Sequence, residues 1–234
     1  MNILIYNEGL HDLEPEVAAI YPNGIHGAIA AALAAPEHTI TITTLADIEQ
    51  KITPETLKQT DVLLWWGHMG HNKVTDAIAE TVHQAVLAGM GFIALHSAHF
   101  SKPFRRIMGS SGTLNWYEYC RERLWVVAPA HPIAAGLPAY IDIPLEEVYR
   151  EPFDIPKPDD LIFIGWFEGG EVFRSGCTYT RGYGKIFYFQ PGHETCPIYH
   201  DPNIAQILRN AVQWARPTAR RDEIDCYYLK SPEL

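Results

Sequence analysis

Gly91-Phe92-Ile93-Ala94-Leu95-His96-Ser97 begins as an unbroken apolar run and turns polar at His96. A short apolar run bounded by glycine reads as a strand buried on both faces. The stretch before it carries Val74, Ile78, Val82, Val86 and Leu87 at helical spacing and stops at Gly89, which reads as an amphipathic helix. Working outward, Asp61-Val62-Leu63-Leu64-Trp65-Trp66 and Asn2-Ile3-Leu4-Ile5-Tyr6-Asn7 repeat the pattern of an apolar run that ends in polar residues. Thr39-Ile40-Thr41-Ile42-Thr43 alternates with period two, as a half-exposed edge strand does, and Ile25 to Ala34 is an alanine-rich helix with Pro36 behind it. Strands joined through helices run parallel, with helices on both faces of the sheet. The expected class is therefore α/β.

The second half is less regular. Leu124-Trp125-Val126-Val127, Glu147-Val148-Tyr149, Leu161-Ile162-Phe163-Ile164 and Glu171-Val172-Phe173 are short strand candidates. Arg181-Gly182-Tyr183-Gly184 reads as a hairpin turn between Thr178-Tyr179-Thr180 and Lys185-Ile186-Phe187-Tyr188-Phe189. Asn203 to Ala215 reads as a final helix, with Pro202 at its start and Pro217 beyond its end. No repeat or linker splits the chain, so residues 1–216 read as a single domain. The tail, 217–234, mixes charge with Tyr227-Tyr228 and reads either as a loose terminus or as an arm over a neighbouring subunit of a homo-oligomer.

At 234 residues with 47% hydrophobic and 20% charged side chains, the chain is not a disordered one. Eighteen basic residues against 28 acidic ones give a net charge of −10, which argues against nucleic-acid and anionic-membrane partners. No apolar run approaches the ~18 residues of a membrane span, and Met1-Asn2-Ile3 enters a strand without a basic leader. A cytoplasmic location is expected. Cys120, Cys177, Cys196 and Cys226 form no CxxC and read as free thiols of a reducing compartment.

In an open parallel sheet, ligands bind beyond the carboxyl ends of the strands. Asn7, Glu8 and His11 follow the first strand, and His68 and His71 follow the Trp65-Trp66 strand. His96, Ser97 and His99 follow the next, and Gln190, His193 and Glu194 follow the strand that ends at Phe189. His26, near the start of the first helix, would face the same rim, whereas His38, His83 and His131 fall elsewhere. His96 stands where a strand breaks sharply towards a helix, the place at which hydrolase-type sheets present a nucleophile; Ser97 lacks the flanking G-x-S-x-G. Two chemistries fit. His68, His96 and His193 can hold zinc or a similar divalent ion with a position left open. Alternatively, His193 and Glu194 can move protons near neutral pH without a metal. Gly67-His68-Met69-Gly70-His71 has the H-x-x-H form but lies in a glycine-bounded loop, so its spacing is no metal signature by itself. Trp65 and Trp66 read either as core or as a sugar platform, with one inward and one outward by strand alternation. Arg174 and Arg181 read either as surface ion pairs or as holders of a polar substrate.

Tyr6-Asn7-Glu8 with His11, Tyr21-Pro22-Asn23-Gly24-Ile25-His26, Trp65-Trp66-Gly67-His68, His96-Ser97, Phe167-Glu168-Gly169-Gly170-Glu171-Val172-Phe173-Arg174-Ser175-Gly176 and Pro191-Gly192-His193-Glu194 together resemble the ThuA (trehalose utilisation) family, in order, from about Asn2 to Ala215. The resemblance implies a flavodoxin-like, class I glutamine amidotransferase-like three-layer sandwich with a mostly parallel sheet. It differs from the amidotransferases at the elbow, which is His96 and not cysteine, and in the late motif, where His193 and Glu194 are adjacent. Without a thiolate, glutamine hydrolysis through a thioester is not available. The resemblance implies instead a carbohydrate-processing protein acting on a disaccharide or keto-sugar. In that reading His96, His193, Glu194 and Glu8 are the acid/base candidates, and a divalent metal such as zinc is held by His68, His96 and His193. Asn7, His11, His26, Trp66, His71, Trp116 and Arg174 would bind the sugar, and no nucleotide cofactor is expected. The competing reading is a non-catalytic sugar-binding or regulatory protein on the same fold.

Overall fold

The computed structural model describes residues 1–221, so the arm reading of the tail rests on residues 222–234, which lie outside the described residues. Nine strands form one sheet: β1 (Asn2–Asn7), β2 (Thr39–Thr43), β3 (Val62–Trp66), β4 (Gly91–Leu95), β5 (Asn115–Val126), β6 (Tyr140–Arg150), β7 (Asp160–Phe167), β8 (Val172–Arg181) and β9 (Gly184–Phe189). Their order is β2-β1-β3-β4-β9-β8-β7-β5-β6. Every pair from β2 to β9 is parallel, and every pair from β9 to β6 is antiparallel. The sheet is thus mixed, and its parallel half is the α/β sandwich that the apolar runs imply. The helices are α1 (Pro15–Ile20), α2 (Gly24–Leu33), α3 (Ile48–Lys51), α4 (Pro54–Gln59), α5 (Asp76–Leu87), α6 (Lys102–Met108) and α7 (Pro202–Ala215).

Strand alternation sorts the core into two layers. Ile3, Ile5, Val62, Leu64, Trp66, Ile93, Leu95, Phe187 and Phe189 pack with Ile25, Ile29 and Leu33 of α2 and with Ile204, Leu208 and Val212 of α7. Leu4, Tyr6, Leu63, Trp65, Phe92, Ala94 and Tyr188 pack on the other face with Ile78, Val82 and Val86 of α5 and Phe104 of α6. Because both faces are covered, Trp65 and Trp66 are each fully buried. Trp66 is therefore not a sugar platform, and the alternation that sends its neighbour to the other face sends it into a second core. Among the described residues, no helix is long and apolar enough to cross a membrane.

Several elements differ from the sequence expectation, three of them for identifiable reasons. The region after β1, where no apolar periodicity marks an element, contains α1, a short helix entered through Pro15 at its first turn. The single strand β8 replaces two separate candidates, Glu171-Val172-Phe173 and Thr178-Tyr179-Thr180, since Arg174-Ser175-Gly176 carries no apolar signal yet pairs within the sheet. Strand β5 starts nine residues earlier than the Leu124 expected from the apolar run (124 − 115 = 9). Its first part, Asn115 to Arg121, is mostly exposed beyond the cover of the helices and needs no apolar residues to form.

Candidate active site

The parallel strands β1, β3, β4 and β9 end side by side, and the residues after them meet above the sheet. Strand β6 crosses over the same end: the Ser97 and Tyr149 hydroxyls are hydrogen-bonded at 2.7 Å, and the Glu146 carboxylate accepts from the backbone N–H of Gly192 (2.9 Å) and His193 (3.1 Å). This return brings Glu147 to 3.2 Å from His96 Nε2. His68, His96, Glu147 and His193 then present one ligand atom each, all within 4.8 Å of one another. A tetrahedral ion with bonds of about 2.0–2.1 Å needs donors roughly 3.4 Å apart, a spacing these side chains reach by small rotations.

Local backbone sets each ligand. His96 begins a 3-10 turn, His96–Phe100, directly after β4, and its φ of 52° lies in the left-handed region. Such a conformation costs of order 1–3 kcal/mol in a non-glycine residue and persists only where the surroundings hold it. His68 lies in the loop that Glu8 clamps, with the backbone N–H groups of Met69 and Gly70 donating to the two Glu8 carboxylate oxygens at 2.9 and 2.8 Å. His193 follows Gly192, where a side chain would collide with Tyr199 and crowd His96. Trp66 Nε1 donates to the Gly192 carbonyl at 3.1 Å from below.

All three imidazoles have the outer nitrogen engaged. Nδ1 of His68 meets His11 Nε2 at 2.8 Å, Nδ1 of His96 meets the Gln190 carbonyl at 3.0 Å, and Nδ1 of His193 meets Thr195 Oγ1 at 2.9 Å. Such outer partners are what orient metal-binding histidines. The inner atoms are left wanting: His96 Nε2 and Glu147 Oε2 are buried without a hydrogen-bond partner of good geometry. A buried group in that state costs about 1–3 kcal/mol, which a cation would offset. The donor set therefore fits a divalent ion of borderline softness such as zinc.

Charge is arranged around this centre. Burial alone would lower the pKa of His96, but the Glu147 carboxylate, with Glu146 and Glu194 behind it, raises it to about 9. Burial would raise Glu147, yet His96 holds it below the usual carboxylate range. Glu194 is likewise drawn down to about 2, against burial, by the imidazoles of His68, His193 and His96. Burial, with the charge on His96, pushes His193 down to about 4. The rim thus offers an ionised carboxylate, Glu194, beside a neutral imidazole, His193, with 3.6 Å between Nε2 and Oε1. The ionised carboxylate is the group on this rim that can accept a proton near neutral pH.

Beside the quartet opens a cavity of about 370 Å3, lined by His68, His71, Phe100, Trp116, Glu147 and Tyr149 among others. Trp116 is 60% exposed at its mouth. Both ring nitrogens of His71 are buried and lack hydrogen-bond partners. Burial pushes His71 down to about 4, so the ring is neutral and free to donate and accept.

The other residues singled out in the sequence are placed differently. Glu8 is not a free acid or base, because both its oxygens hold the His68 loop. Asn7 is tied to Asp12, His26 and Gly9, and His26 sits against Asn7 and Asp12, so both brace the loop after β1. His11 is buried, with both nitrogens engaged, and touches a ligand instead of the cavity. Arg174 does not line the cavity: Glu151 takes its guanidinium at 2.7 and 2.9 Å and the Phe153 carbonyl accepts at 2.6 Å. Ser97 is paired to Tyr149 and has no base beside it. Glu147, Glu146 and Tyr149 were missed as site residues, although two adjacent glutamates in a strand-prone stretch are a signal. On a strand they point to opposite faces, and here both faces are covered, so both carboxylates are buried.

Burial pushes the thiols of Cys177 and Cys196 up to about 12. Iodoacetamide at pH 8 is therefore expected to leave both unmodified in the native protein and to alkylate both after denaturation, read by peptide mass mapping. Rapid alkylation of native Cys196 would contradict this and restore a thiolate near the rim.

Residues 2–215 match the family described as ThuA, trehalose utilisation. Two solved structures described as ThuA-like are similar in fold. One, from Parabacteroides merdae, has a TM-score of 0.70 at 14% identity and covers 94% of this chain and 92% of that one. The other, from Bacteroides uniformis, has 0.62 at 17%, with 91% and 89% covered. A glutamine amidotransferase of Thermotoga maritima shares the fold at 0.51 and 12%, covering 83% and 76%. No curated protein is similar enough in sequence to count as a relative.

Proposed function

The chain belongs to the ThuA, trehalose utilisation, family, and from that premise we propose that it is a carbohydrate-processing enzyme that moves a proton on a keto-sugar or disaccharide. The observation that carries this reading is the convergence of His68, His96, Glu147 and His193, with the ionised Glu194 alongside, where His68 and Glu147 also line a cavity with an aromatic mouth. A hydrogen on carbon next to a sugar carbonyl is acidic enough to be removed by a positioned base. Glu194 removes it and, as the carboxylic acid so formed, gives the proton back to carbon or to a leaving oxygen, which serves isomerisation, epimerisation or elimination of a glycosidic leaving group. A divalent ion held by His68, His96 and His193, with Glu147 as a fourth donor, would act as a Lewis acid on the carbonyl oxygen by expanding its coordination to take that oxygen. Trp116 offers an apolar face to the ring, and His71 offers a donor and an acceptor to its hydroxyls. The elbow imidazole, with Cys177 and Cys196 buried, supports a reaction other than glutamine hydrolysis.

The test is direct. Zinc-loaded protein is incubated in deuterated water with keto-disaccharides and followed by NMR. Loss of the carbon-bound hydrogen signal is expected, and its suppression by a chelator. A sugar that raises the thermal midpoint while its signal stays unchanged in every keto-disaccharide tried would favour the non-catalytic reading and sink this one.

A further inference from the structure

We propose that His11 and Glu14 are positioning residues of the centre: together they fix the tautomer and orientation of His68, so that its Nε2 faces the other ligands. The inference rests on the metal reading above and goes beyond it. His68 Nδ1 lies 2.8 Å from His11 Nε2, and His11 Nδ1 lies 3.1 Å from Glu14 Oε1. An ionised carboxylate only accepts, so His11 Nδ1–H donates to Glu14. That leaves a lone pair on His11 Nε2, which accepts from His68 Nδ1–H. The remaining lone pair of His68 is then on Nε2. One carboxylate thus orders two rings in series, and each donor points away from the centre.

The local sequence is built for this arrangement. His11 opens a 3-10 turn, His11–Leu13, and the Glu14 backbone N–H bonds back to the His11 carbonyl at 2.9 Å, which sets the two side chains side by side. Pro15 follows as the first residue of α1 and stiffens the exit. The edge of Trp66 stands against the His11 ring, with centroids 6.2 Å apart and planes at 85°. Glu194 is the competing acceptor, at 3.5 Å from His11 Nδ1 and 3.4 Å from His68 Nδ1, longer than the Glu14 contact. With Glu14 satisfying His11, Glu194 keeps Oε2 unpartnered and free for substrate chemistry. Outer partners of this kind are typically worth 10–100-fold in metal affinity.

Zinc affinity and the visible spectrum of the cobalt(II) form are measured on the full chain and three variants. His11→Leu removes the acceptor, and a fall in zinc affinity of about 10–100-fold with an altered cobalt band is expected. His11→Gln supplies an amide oxygen where Nε2 was and is expected to recover most of both. Glu14→Ala, at a side chain 42% exposed, leaves the core untouched and is expected to weaken zinc by about 10-fold. Wild-type affinity and spectrum in both His11→Leu and Glu14→Ala would overturn the inference alone. A wild-type chain that binds neither ion would overturn the metal reading and this inference with it.

Discussion

Glu147→Ala is expected to lower zinc affinity by more than about 100-fold and to abolish hydrogen exchange on a keto-sugar. The loss should exceed the 10–100-fold typical of an outer partner, because a ligand itself is removed. Glu147 has two tasks. It completes the quartet, and it supplies the negative charge that holds His96 protonated at about 9 in the metal-free protein. Without it, burial is opposed only by Glu146 and Glu194, and the pKa of His96 falls. Glu147→Gln separates the tasks, since it keeps the shape and removes the charge. Calorimetric titration with zinc gives the affinities. An alanine variant that binds zinc as the wild type does would show that the three histidines suffice and that Glu147 merely lines the cavity.

Trp66→Ala is expected to cost about 3–5 kcal/mol of stability, as for other fully buried large aromatics. For a chain of this size that corresponds to roughly 6–20 °C in thermal midpoint. The indole fills the core between β3, α2 and α7, and its N–H holds the Gly192 carbonyl next to His193. Trp66→Phe keeps most of the ring and leaves that carbonyl unpaired, a smaller cost of about 1–3 kcal/mol. Urea unfolding of metal-free protein measures both. A loss under about 1 kcal/mol for Trp66→Ala would mean that the side chain is dispensable to the core, as a surface sugar platform would be.

The parallel half of the fold was legible because β1, β3, β4 and β9 are apolar runs with polar residues at their carboxyl ends. Those ends placed His68, His96 and His193 on one rim before any contact was known. Three things lay beyond that logic. Alternation tells which neighbours of Trp66 share its face, but not whether that face is covered. Position after a strand brought in Asn7, Glu8 and His11, and position at a helix start brought in His26, whose polar atoms are spent on the loops beneath His68 and His193. Glu147 depends on the meeting of β6 with the end of β4, far apart in the chain, that no local pattern encodes. Arg174 shows the same limit, because its partner Glu151 lies on the other side of a long connection.

The return of β6 over the ends of β4 and β9 also fixes when the centre can exist. His68 and His96 leave the ribosome first, but His193 arrives only when β9 pairs with β4, and Glu147 only when β6 has folded back over that end of the sheet. No two of these four ligands share a turn or a hairpin, so a cation has nothing to seize in a half-made chain. An ion held by all four would bind the finished protein and stabilise that state by mass action, about 2.7 kcal/mol at a hundredfold excess over Kd. It would be a seal on completed folding and not its seed.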